Sequence, residues 1–156
     1  MKRVLVDMDG VLCDFYNAAK QALIENPKQH YPQGRWGFFL KLKPLPKALE
    51  SYQLLEKHFD VRILTRPSHM NVNCYTEKAQ WIWDHLGIKV LEKAIFSGDK
   101  SIIEGDYLID DQDNAKQADF KGEWIKFGSD TFPDWEHIVK YILNKEEIQS
   151  TLITEL

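Results

Sequence analysis

Val4-Leu5-Val6-Asp7-Met8-Asp9-Gly10-Val11-Leu12-Cys13-Asp14 is the stretch whose reading decides the fold. Val4 to Val6 is a short, apolar, largely β-branched run, as expected of a strand covered on both faces. Asp7 and Asp9 follow at period two, so a continuing extended backbone sends both carboxylates to one side. Gly10 then lets the chain turn away. Like charges this close repel and raise one pKa, so the pair calls for a cation or a proton-transfer task. The stretch therefore reads as a buried strand that delivers chemistry at its carboxyl end.

Working outward, Phe15 to Asn26 has apolar residues at helical spacing and is stopped by Pro27. Residues 27 to 45 hold three prolines, two glycines and four aromatics with little periodicity, which reads as an insertion or lid. Residues 15 to 45 are thus taken as a small helical and aromatic cap within a single domain spanning 1–156. Trp36, Phe38 and Phe39 either pin this insertion to the body or stack on a ligand. Pro46 starts a second helix with a stripe of Ala48, Leu49, Tyr52, Leu55 and Phe59.

Asp60 to Thr65 is a second strand ending in a hydroxyl, and Tyr75 to Leu86 a helix capped by Asn71 or Asn73 and terminated by Gly87. Further strands are expected at Lys93 to Phe96, Tyr107 to Ile109 and Trp124 to Phe127. A helix from Pro133 to Leu143 closes the pattern, and a polar tail is expected from Asn144 on. Strands alternating with helices predict a three-layer, doubly wound α/β fold, Rossmann-like, with a parallel sheet and right-handed crossovers.

The composition is that of a globular protein, with 44% apolar and 28% charged residues. A net charge of -4 argues against a nucleic-acid polymer as partner. Cys13 and Cys74 read as reduced thiols. No leader and no membrane-length apolar run is recognised, so a cytoplasmic location is expected, and the sequence leaves a homodimer open.

In doubly wound sheets ligands bind beyond the carboxyl ends of the strands. Collected there are Asp7 and Asp9, Thr65, Lys100, and Asp110 with Asp111. Singly, each has a dull explanation as a turn, cap or solvated residue; their joint occurrence at one sheet edge points to phosphoryl transfer to and from an aspartate. Several carboxylates at one spot need a hard cation, and oxygen ligands suit Mg²⁺. One carboxylate can attack phosphorus, and a second, with a raised pKa, can protonate the leaving oxygen. Thr65 and Lys100 can bind the non-bridging oxygens.

These residues resemble the haloacid dehalogenase (HAD) superfamily of phosphatases. Asp7-Met8-Asp9-Gly10-Val11, Ile63-Leu64-Thr65, Lys100 and Leu108-Ile109-Asp110-Asp111 look like its four motifs in order. Within it the chain is most similar to the 5'(3')-deoxyribonucleotidases (5'-nucleotidase, cytosolic type C), through Val4 to Phe15, Phe38 to Pro46, Thr65-Arg66-Pro67, Glu77-Lys78 with Trp81, and Asp99-Lys100 through Asp111. The resemblance implies hydrolysis of a nucleoside monophosphate with Asp7 as nucleophile and Asp9 as general acid and base. It implies Mg²⁺ held by the Asp7 carboxylate, the Asp9 carbonyl and Asp111, with Asp110 acting behind them or through water. It places the phosphate on Thr65 and Lys100, and Phe15 on the nucleoside side. Where the animal enzymes have Thr-Ser-Pro, this chain has Arg66, which either reaches the phosphate or faces solvent; the insertion is also shorter than the family's helical cap. A HAD phosphatase for a sugar phosphate or another small phosphomonoester is the alternative enzyme. A phosphoacceptor receiver module is disfavoured by motif order.

Overall fold

Five parallel strands, β1 (Arg3–Val6), β2 (Asp60–Thr65), β3 (Ile95–Phe96), β4 (Tyr107–Asp110) and β5 (Glu123–Lys126), form one sheet in the order β3-β2-β1-β4-β5. This computed structural model describes residues 1–148. Central β1 is paired along both edges, Val4 opposite Val61 and Tyr107, and the side chains of Val4, Leu5 and Val6 are fully buried on its two faces. The period of two sorts it: Val4 and Val6 join Val61, Ile63 and Ile109 in the larger core, and Leu5 joins Leu64, Leu108 and Phe120 in a smaller one.

The helices are α1 (Phe15–Glu25), α2 (Ala48–Glu56), α3 (Cys74–Leu86), α4 (Ile88–Leu91) and α5 (Trp135–Lys145). Tyr52 and Leu55 of α2, Trp81 and Ile82 of α3, and Trp135, Ile138 and Ile142 of α5 bury into the larger core. Each fully buried apolar side chain contributes on the order of 2 kcal/mol. Two indole N–H groups find carbonyls inside it, Trp81 donating to Leu42 O (2.7 Å) and Trp135 to Val11 O (2.8 Å). The opposite face is covered by irregular chain, from which Ile103 and Phe120 pack onto Leu5 and Leu108. That is the thin layer of an α/β sandwich.

The elements follow the expected order with shifted ends. α2 starts at Ala48 rather than Pro46 because Lys47 takes a left-handed backbone (φ 61°). Asn73 occupies the cap position of α3 without a side-chain bond, and it is Asn71 whose Oδ1 accepts the Asn73 N–H (3.1 Å). Gly87 ends α3 at φ 87° as expected, and the short α4 follows at once. Asn144 and Lys145 are helical, and Ile148 packs on the core, so the polar tail does not begin at Asn144; its remainder, 149–156, lies outside the described residues.

Candidate active site

Because β2 and β4 flank β1, the chain runs outward in both directions from the carboxyl end of β1, where such sheets open a crevice. Asp7 stands there, its N–H bonded to Ile109 O (2.9 Å). The chain then folds tightly on itself, Cys13 N–H reaching Met8 O (3.0 Å) and Gly10 N–H reaching Cys13 O (2.9 Å). Gly10 has φ +78°, and a Cβ there would lie 2.6 Å from both Asp111 Oδ2 and Tyr16 Cε2. This turn separates the two acids, which meet different partners.

Those partners are buried lysines. Lys100, 1% exposed, donates to Asp7 Oδ1 (2.7 Å) and Asp110 Oδ2 (2.5 Å). Lys78, fully buried on α3, donates to Asp9 Oδ2 (2.8 Å), Thr65 Oγ1 (2.7 Å) and Arg66 O (2.7 Å), which uses all three of its protons within the protein. Thr65 is therefore brought to the site but sits behind Asp9, fully buried. Asp110 is equally enclosed, accepting from Gln117 Nε2 (2.9 Å) and Gln112 N–H (3.1 Å) as well as from Lys100.

Asp7, Asp110 and Asp111 can each offer an oxygen with all three within 4.8 Å of one another. Asp111 Oδ2 accepts from Tyr16 Oη (2.6 Å), while Asp111 Oδ1 is buried with no hydrogen-bond partner among the described residues. A buried carboxylate oxygen left unpaired is costly. Four carboxylates face only two ammonium groups, Asp7 and Asp110 sharing Lys100 and Asp111 touching neither lysine, and a divalent, oxygen-seeking cation corrects both the charge excess and the unpaired oxygen. The donor set thus fits such an ion. Burial holds Asp9 above the usual carboxylate range, Lys78 opposing and Asp7 adding to the rise. Burial, then the Asp7 charge, also raises Asp110, and burial raises Asp111.

Above these groups opens a cavity of about 320 Å³ with Asp7, Asp9, Lys100 and Asp111 at its floor. Phe15, Phe39 and Tyr31 form an aromatic wall, Phe15 stacking on Phe39 at 6.3 Å between centroids. Arg66 lines the cavity too, its Nη1 donating to Asn114 O (2.7 Å). Trp36 and Phe38 do not line it. They border a second cavity against α1, with Trp36 63% exposed, and Phe38 touches the first wall only through its edge contacts with Phe15 and Phe39. The insertion is tied down by Glu77, buried on α3, whose Oε2 accepts the Phe39 N–H (2.9 Å), and by Asn71 Nδ2, which donates to Gln33 O (3.2 Å).

Sequence reasoning collected Asp7, Asp9, Lys100, Asp110, Asp111 and Thr65, and the fold gathers all six. It did not single out Lys78, Tyr16, Gln112 or Gln117 as site residues. A signal for Lys78 was present: it shares the stripe Cys74, Lys78, Trp81, Ile82, so a charge lay on an apolar helical face.

Three comparisons place the molecule among known proteins. Residues 24–142 match the family described as 5' nucleotidase, deoxy (pyrimidine), cytosolic type C protein. The chain is 31% identical to the human cytosolic-type 5'(3')-deoxyribonucleotidase, covering 88% of this chain and 78% of that protein. It is 34% identical to a Vibrio phage KVP40 protein whose name assigns it provisionally to the same activity, with 92% and 86% covered. In fold it is similar to the class C acid phosphatase from Bacillus anthracis, at a TM-score of 0.57, 14% identity, and coverage of 96% of this chain and 80% of that one.

Proposed function

The chain belongs to the cytosolic type C family of 5'-nucleotidases, and from that premise we propose that it is a Mg²⁺-dependent 5'(3')-deoxyribonucleotidase that hydrolyses nucleoside monophosphates through an aspartyl phosphate on Asp7. The observation that carries this reading is the meeting of Asp7, Asp110 and Asp111 within 4.8 Å, with Asp111 Oδ1 buried and unpaired, at the floor of an aromatic-walled cavity.

In the proposed reaction, a carboxylate oxygen of Asp7 attacks phosphorus and the ester P–O bond breaks. Lys100 aims Asp7 by holding Oδ1. The departing oxygen takes its proton from Asp9, whose raised pKa suits it to carry one. Asp9 then removes a proton from water as that water attacks the phosphoaspartate, which releases inorganic phosphate and restores Asp7. Asp7, Asp111 and the Asp9 carbonyl would hold Mg²⁺, with Asp110 behind them; when bound, the ion neutralises phosphate charge. Lys100 and Arg66 meet the non-bridging oxygens from the protein side. Thr65 acts through Lys78, fixing the carboxylate of Asp9.

The nucleoside would lie against Phe15 and Tyr31, with buried Phe39 packed behind Phe15, because stacking surfaces favour a base. Residues 15–45 serve as a shortened cap that supplies this wall. A panel of deoxy- and ribonucleoside monophosphates beside sugar phosphates, each with and without Mg²⁺, tests the reading. The expected result is metal-dependent release of phosphate with nucleotides preferred by kcat/KM; preference for a sugar phosphate would replace the nucleotide assignment, and full turnover with a chelator would overturn the metal ligands.

A further inference from the structure

We propose that Tyr16, held in turn by Gln112, is a positioning residue that fixes Asp111 for the divalent cation; the inference rests on the metal site proposed above. An ionised carboxylate only accepts hydrogen bonds. The contact of 2.6 Å between Tyr16 Oη and Asp111 Oδ2 is therefore one in which the phenol donates. Its lone pair is then free to accept, and Gln112 Nε2 lies 2.9 Å away to donate. The phenol oxygen is thus held from two sides, and the ring itself is set edge-on to Phe15, with centroids 5.5 Å apart at 86°.

For Asp111 the consequence is a sorting of its two oxygens. Oδ2 is occupied by Tyr16, and Oδ1 is the one left buried without a partner among the described residues. A carboxylate free to rotate could turn either oxygen, or both, toward a cation. One whose Oδ2 is pinned presents Oδ1 alone, in a fixed direction. Partners behind a ligand act in this way at metal sites generally, setting its orientation and basicity.

Gly10 shows that the arrangement depends on the close approach of three chain segments. A Cβ at this position would come within 2.6 Å of both Asp111 Oδ2 and Tyr16 Cε2, so the Tyr16–Asp111 pair closes directly over a residue that has no side chain. Tyr16 is also the second residue of α1, where the cap begins, and it borders the substrate cavity. The hydrogen bond to Asp111 spans 95 residues of sequence. It makes the first turn of the cap part of the support of the metal carboxylate.

The test is a titration of substrate-free full-length protein with Mn²⁺, followed by the electron paramagnetic resonance signal of the free ion, so that no turnover is needed. Tyr16→Phe keeps the ring and removes the hydroxyl, and it should weaken Mn²⁺ binding by about tenfold or more, the size typical of a lost ligand-orienting bond. Gln112→Ala, at an exposed side chain, leaves the ring untouched and should weaken it less, by roughly threefold, as the indirect member. Asp111→Asn should remove tight binding. If Asp111→Asn loses the ion while Tyr16→Phe binds it within twofold of the parent, Tyr16 is a packing residue and the inference fails while the metal site stands. If Asp111→Asn binds as tightly as the parent, the metal assignment fails and the inference with it.

Discussion

Where the strands begin, Asp60 sits between Arg3 Nε (2.8 Å) and Arg62 Nε (3.0 Å); where they end, Asp7 and Asp110 share Lys100, and Asp9 holds Lys78. The chemistry of the pairs is alike, yet their surroundings differ. The arginines at the first end are about a third exposed, whereas Lys78 and Lys100 are buried. Burial raises Asp60 somewhat, but the hydrogen bonds and charges of Arg3 and Arg62 together outweigh it and hold its carboxyl below the usual range. At the other end, burial prevails and Asp9, Asp110 and Asp111 are all raised. At the beginning of the sheet Asp60 faces two guanidinium groups and needs nothing further; at the end, four carboxylates face two ammonium groups, the excess that the proposed cation would balance. Stability is served at one end and chemistry at the other.

The largest separation between the ends should appear in turnover. Asp7→Asn is expected to cut kcat by roughly 10⁴-fold or more, as loss of a nucleophile does elsewhere, with the circular dichroism spectrum unchanged; a variant that still turned over would remove Asp7 from its role. Substitutions at Asp60 should leave kcat near the parent value. Next comes the cost of breaking pairs. Lys100→Met leaves buried carboxylates without a counter-charge and should cost about 3–5 kcal/mol in urea unfolding of chelated protein. Arg3→Met should cost no more than about 1 kcal/mol, as exposed pairs do. Equal losses would erase the distinction between the two ends.

A smaller difference should be visible with pH. Since the folded pKa of Asp60 is depressed, its stabilising contribution is present above the unfolded value near ~3.9 and disappears as pH falls through the folded value. Asp60→Asn should therefore be less stable than the parent at pH 7, with the gap in thermal midpoint closing below about pH 4; a constant gap would mean that the charge of Asp60 is not what stabilises. The smallest effect sharpens the wall of the site. Phe15→Ala should raise KM for nucleotides more than for a generic aryl phosphate, and Trp36→Ala should leave both within about twofold because Trp36 borders the other cavity.

Much of this was legible because it is local. The β2 boundaries, Asp60–Thr65, follow from an apolar run closed by a hydroxyl, and the end of α3 from Gly87. The acids and Lys100 were found because strand ends in a parallel sheet converge whatever lies between them. What escaped is long-range or contrary to habit. Lys78 escaped because a lysine on a helix is ordinarily solvated, and only the fold places Asp9 and Thr65 against it. Tyr16 lies on α1, where Phe15 and Ala18 pack on the core, and nothing local announces that its hydroxyl meets Asp111, 95 residues away in sequence. Trp36, Phe38 and Phe39 are near neighbours in sequence, but the 3-10 turn at Phe39–Lys41 turns Phe39 inward and leaves Trp36 outside.

The indole contacts of the core also give the molecule a built-in optical gauge. Of its five tryptophans, Trp81 and Trp135 are sealed and bonded to carbonyls, while Trp36 and Trp83 are more than half exposed. A collisional quencher in solution should extinguish the emission of the exposed pair first and leave a blue-shifted remainder. That remainder comes from Trp81 and Trp135, fastened to Leu42 just before α2 and to Val11 in the loop after Asp9, together with part-buried Trp124, bonded to Asp110 O. Its wavelength reads the seating of both segments without any added label.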